Sequence, residues 1–153
     1  MKTMQDDVDG GRLLGSEEGG FGDSQAAVCE ARLFAMEILA RWGIADRAED
    51  LRLCVSELST NALVHATPPA GGFTLRVLAW ARLLRVEVED QGTGMPVRRA
   101  ARLEDVSGRG LLLVEALSDD WGVVEGEYGK TVWCEFRLKP ESDAGWSMAA
   151  VAC

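Results

Sequence analysis

Two runs of β-forming residues, Phe73-Thr74-Leu75-Arg76-Val77-Leu78-Ala79-Trp80 and Leu84-Arg85-Val86-Glu87-Val88-Glu89-Asp90, stand only a short turn apart, which makes them an antiparallel hairpin. Ahead of them the hydrophobic period is helical. Ala26, Ala27, Val28, Ala31, Phe34, Ala35, Ile38 and Leu39 predict a first helix over about 24–42, with Ser24 as N-cap and Gly43 just past its end. Leu51, Cys54, Val55, Leu58, Ala62 and His65 predict a second from about Asp46 to Ala66, which Pro68-Pro69 stops. After the hairpin, Gly92 to Ser107 reads as a loop and Gly108 to Leu117 as a short apolar helix. Trp121 to Val124 and Thr131 to Leu138 then read as a further strand pair around Gly126 and Gly129. Strands that cluster as adjacent hairpins favour a mostly antiparallel sheet with helices on one face, an α+β two-layer sandwich.

At 153 residues and 47% hydrophobic content the chain is long enough for one domain with its own core. Residues 1–23 carry six acids and six glycines against Lys2 and Arg12, so they are expected to form a flexible acidic lead. The domain is expected over 24–139, and 140–153 as a tail. A net charge of -9 excludes a phosphate-neutralising surface, so no direct contact with nucleic acid is expected. The longest uncharged run, Leu58 to Leu75, is broken by Asn61, His65, Pro68-Pro69 and Gly71-Gly72, so no membrane span is expected. Nothing resembling a secretory signal follows Met1, and a cytoplasmic location is expected. Cys29, Cys54, Cys134 and Cys153 lie far apart with one histidine in the chain, so reduced thiols are expected in place of a zinc site or a disulfide framework.

Several residues can carry chemistry. Glu57 and Asn61 stand one turn apart on the second helix, beside its apolar stripe. There a carboxylate and an amide can serve a phosphate-bound Mg²⁺ and orient a nucleophile, although such a pair is also an ordinary polar flank. Asp90 shares the strand parity of Leu84, Val86 and Val88, so its carboxylate faces the covered side and needs a donor. An adenine amino group would supply one; a strand-end Asp capping the turn at Gly92 and Gly94 is the plainer account. Gly108-Arg109-Gly110-Leu111 opens a helix whose free N–H groups suit phosphate, and Arg98, Arg99 and Arg102 precede it as a basic strip or as a solvated loop. Gly129-Lys130-Thr131 imitates the end of a P-loop, but Val124 stands where that motif needs glycine and a strand follows where it needs a helix. The EF-hand and dinucleotide-binding patterns fail as well, at Ala101 and Val97. His65 faces the apolar stripe and reads as a core histidine.

Taken in order, Glu57-x-x-x-Asn61, Asp90-x-Gly92-x-Gly94, Gly108-x-Gly110-Leu111 and Gly129-Lys130-Thr131 resemble the GHKL ATPase superfamily, the Bergerat fold. Within it the chain looks most like the small bacterial anti-sigma-factor serine kinases of actinobacterial type, over roughly residues 24 to 138. The resemblance implies that Asn61 binds the Mg²⁺ that bridges the phosphates of ATP and that Glu57 is the general base. It implies that Asp90 accepts from the adenine amino group, that Gly92 and Gly94 shape the base pocket, that Gly108, Arg109 and Gly110 line the triphosphate, and that Thr131 lies near the adenine end. The implied reaction moves the γ-phosphoryl of ATP to a serine of a small antagonist protein, the kinase otherwise sequestering a sigma factor. A homodimer also fits. The other reading is an ATP-binding regulatory module that grips a partner without phosphoryl transfer. A histidine kinase is disfavoured, since no dimerisation and phosphoacceptor domain fits in the 23 residues before the first helix.

Overall fold

The computed structural model describes residues 7–8, 11–65, 71–90, 109–126 and 129–139. In chain order the elements are β1 (Asp7–Val8), β2 (Gly11–Phe21), α1 (Ala26–Trp42), α2 (Ala48–His65), β3 (Phe73–Trp80), β4 (Leu83–Asp90), α3 (Arg109–Leu117), β5 (Asp120–Glu125) and β6 (Lys130–Arg137). One six-stranded sheet runs in the order β1-β2-β3-β4-β6-β5, every neighbour antiparallel. The fold is the α+β sandwich that the pattern predicts, with sheet and helices meeting across one core.

Parity decides what faces that core. Leu75, Val77, Leu84, Val86, Val88, Val132, Cys134 and Phe136 point at the helices and are all but inaccessible, against Ile38, Leu39, Leu51, Val55, Leu58, Leu111 and Val114. Alternate residues on the other face build an ionic ladder. Arg76 donates to Glu87 and Glu89 at 3.1 and 2.7 Å, Arg85 donates to Glu87 and Glu135 at 2.8 and 2.6 Å, and the Arg85 guanidinium lies 4.3 Å over the Trp133 ring. Gly43 closes α1 in the left-handed conformation, with Ile44 N–H donating back to the Leu39 carbonyl at 2.9 Å.

The reading of residues 1–23 as a flexible lead needs correction, because 11–21 form a full strand paired along β3 from Leu13↔Trp80 to Phe21↔Phe73. Two of its glycines, which read as disorder in the sequence, are seats for helix α1. A Cβ on Gly15 would stand 2.8 Å from the Trp42 ring, and one on Gly19 3.0 Å from Phe34. Phe21 completes the seam, edge-on to Phe34 and stacked on Phe73, with ring centroids 5.4 and 5.5 Å apart. Two smaller corrections concern Ser24 and Cys29. Gln25 occupies the N-cap of α1 with no side-chain cap bond, and Ser24 contributes only its carbonyl, to Ala27 N–H at 2.9 Å. Cys29 is disulfide-bonded, whereas Cys54 and Cys134 are free and buried as expected. Wide sequence spacing says nothing about which cysteines a fold brings together.

Gly92, Gly94, Gly108, the arginines Arg98, Arg99 and Arg102, and the tail 140–153 lie outside the described residues; Arg109 and Gly110 are described only as the opening of α3. Among the described residues no helix is long and apolar enough to cross a membrane.

Candidate functional site

Asp90 ends β4 on the core-facing parity, and the register decides what it meets. The last pair of the β4–β6 ladder is Glu89↔Thr131, so the next residue outward on β6, Lys130, arrives beside Asp90. Lys130 N–H donates to Asp90 Oδ1 at 3.2 Å, and Lys130 Nζ donates to Oδ2 at 2.9 Å. The two side chains are 3% (Lys130) and 1% (Asp90) exposed. Burying opposite charges this deeply is tolerated only when each compensates the other, and removing one partner strands the other in low dielectric. Gly129 permits the approach: a Cβ there would press on the Asp90 carbonyl oxygen and stand 3.0 Å from Oδ1. The turn that delivers it is closed by Gly126 N–H donating to the Gly129 carbonyl at 2.7 Å.

Thr131 alternates with Lys130 and Val132, so it shares the outer face with Glu89, and Lys130 is the β6 residue that touches the Asp90 carboxylate. The sequence pattern counts Gly129-Lys130-Thr131 as a false P-loop and as the last box of the family resemblance, and gives the adenine role to Thr131 with none to Lys130. One signal was present: Lys130 has the same parity as Val132, Cys134 and Phe136, a lysine on an otherwise buried face.

Glu57 and Asn61 lie one turn apart on α2, half-buried beside Val55, Leu58 and Ala62, which are 0%, 1% and 5% exposed. The helix packs against both β4 and α3. Among the described residues the Asn61 Nδ2 is buried without a hydrogen-bond partner, so its N–H donors are not used there. Leu111 and Val114 anchor α3 in the core, which fixes the helix whose N-terminus begins at Arg109. The structure thus joins Asp90, Gly129 and Lys130 in contact and sets Glu57 with Asn61 on the helix above β4; no described hydrogen bond links the two groups. Among the described residues no three His, Cys, Asp or Glu side chains gather, so a divalent cation here would take most of its ligands from phosphate and water. A cavity of about 290 Å³ lies at the far end of the sheet, lined by Trp42, Ile44, Trp80 and Leu138, away from Asp90.

Residues 21–136 match the family model described as the histidine kinase-like ATPase domain. The chain belongs to this family. Among relatives of this ATPase domain, the serine-protein kinase RsbW of Listeria monocytogenes is 34% identical over 104 residues, covering 58% of this chain and 66% of that protein. The sensor histidine kinase PdtaS of Mycobacterium tuberculosis is 40% identical over 76 residues, covering 48% of this chain but 15% of that protein. The crystal structure of the RsbU and RsbW domains of Rv1364c from Mycobacterium tuberculosis superposes with a TM-score of 0.62 at 23% identity, over 82% of this chain and 33% of that one. That likeness concerns the fold. The chain therefore spans just under two thirds of RsbW and a small part of PdtaS.

Proposed function

We propose that this ATPase domain is a Mg-ATP-dependent protein serine/threonine kinase of the anti-sigma-factor type, which phosphorylates a small antagonist protein and holds a sigma factor inactive. The observation that carries the reading is the Asp90 carboxylate, 1% exposed at the end of β4, with two of its roughly four lone-pair positions taken by Lys130. The remaining positions suit the amino group of adenine. In this reading Gly92 and Gly94 shape the base pocket, and Gly108, Arg109 and Gly110 present N–H groups and a cation to the triphosphate. The side-chain oxygen of Asn61 is a hard donor that fits Mg²⁺. The ion would neutralise charge spread across the phosphates. Glu57 takes the proton from the attacking serine hydroxyl, while orientation and electrostatics supply most of the acceleration. The 34% identity to RsbW supports the antagonist and sigma-factor partners. A cytoplasmic homodimer without direct nucleic-acid or membrane contact is consistent with it.

Calorimetric titration with ATP and ADP, with and without Mg²⁺, tests the pocket, and incubation with radiolabelled ATP and a candidate antagonist tests transfer. Asp90→Asn is expected to weaken ATP binding by about 1–3 kcal/mol, the cost of mismatching a buried polar partner. It also strands the Lys130 ammonium, so a lowered melting temperature is expected alongside, and the titration belongs well below it. Undiminished affinity in a folded Asp90→Asn protein would remove Asp90 from the pocket. Tight ATP binding with no label on any partner would leave the regulatory module as the function.

A further inference from the structure

Lys130 is more than a counter-ion in shape. An ammonium has three N–H donors and no acceptor, and one donor is spent on Asp90 Oδ2 at 2.9 Å. Among the described residues no other acceptor is bonded to Nζ, although the side chain is 3% exposed. A buried donor left unpaired is costly, so the two remaining N–H groups call for an acceptor at that spot. The acceptor must lie beside whatever donates to Asp90, because the carboxylate and the ammonium are in contact. Adenine presents that pair of groups: an amino donor flanked by ring nitrogens that only accept.

We propose that Lys130 reads the base, donating from its buried ammonium to a ring nitrogen next to the amino group that Asp90 receives. The inference rests on the adenine reading of Asp90 above and adds a second, charged contact to it. Lys130 is then a specificity residue as well as the partner that balances Asp90. Sheet register alone sets the two side by side, since Asp90 and Lys130 are the residues just beyond the Glu89↔Thr131 pair.

The test compares ATP with 1-deaza-ATP and 7-deaza-ATP, each lacking one of the two flanking ring nitrogens, on the unmodified chain by calorimetry. A hydrogen bond from a charged donor predicts about tenfold or greater loss of affinity for one analogue. In Lys130→Met the same analogue and ATP should bind equally, both more weakly than ATP binds the parent. A lysine that merely holds Asp90 in place would leave all three nucleotides equal on the parent chain, and that result overturns the inference while the ATP reading stands. Failure of the folded parent to bind ATP at all overturns both. If Lys130→Met does not fold, the comparison on the parent still decides.

Discussion

Glu57 occupies the flank of α2 where a carboxylate is neither buried in the core nor free in solvent, and that boundary is what a base acting on a bound hydroxyl requires. Glu57→Ala is expected to keep ATP affinity within about twofold while cutting phosphoryl transfer by about 10²-fold or more, the usual scale of general-base removal. Transfer at the parental rate in a single-turnover assay would end that role. At this scale the sequence was most informative where local periodicity governs. Strand parity placed Asp90 on the covered face, and helical spacing placed Glu57 and Asn61 together. The pairing of Lys130 with Asp90 was beyond its reach, because that contact crosses forty residues and depends on the register between β4 and β6.

At the scale of elements, Arg47 does the work of a clasp. It sits between α1 and α2 with φ +68°, a left-handed conformation that a β-carbon disfavours. From there its guanidinium donates to Asp119 at 2.8 Å, to Asp50 at 3.1 Å, and to the carbonyls of Leu117 and Arg137 at 2.8 and 3.1 Å, 5.2 Å from the Phe136 ring centroid. It thereby ties the start of α2 to the end of α3 and to β6. Arg47→Ala is expected to cost about 2–3 kcal/mol in chemical denaturation, the scale of losing hydrogen bonds from a charged group. Arg47→Gly should cost about 1 kcal/mol less, because glycine adopts positive φ freely; equal losses would mean that the backbone there stores no strain. Strand β2 supports a second expectation. Deleting residues 1–22 removes the pairing along β3 and uncovers Phe34 and Phe73, so the truncated chain should melt at a lower temperature, or without cooperativity, when followed by circular dichroism. An unchanged melt would make β2 an accessory.

The stability of the whole molecule is linked to pH by groups of opposite sign, among them Cys134 and Asp119. Burial raises the Cys134 thiol well above its ordinary value, and the neighbouring Cys54 thiol adds to the shift. A raised thiol favours folding below the unfolded value, about pH 8.5, and that contribution fades as pH rises from there toward the folded value. Burial pulls the Asp119 carboxyl upward, but the Arg137 N–H and the Arg47 guanidinium outweigh it and leave the group below its ordinary value. Its contribution is complete above about pH 4 and is lost as pH falls through the folded value. Thermal melts from pH 3 to 10 should therefore fall away at both ends, and Cys134→Val should flatten the alkaline limb alone. The element types from residue 24 onward, the hairpin, the antiparallel sheet and the covered faces follow from the sequence by itself, since periods of 3.6 and 2 are local properties of the chain. The tertiary structure alone decided that a glycine-rich, acidic segment is a strand, because only the rings of Trp42 and Phe34 reveal what Gly15 and Gly19 accommodate. It also decided that Lys130 meets Asp90, because register between strands distant in sequence is settled by packing over the whole sheet.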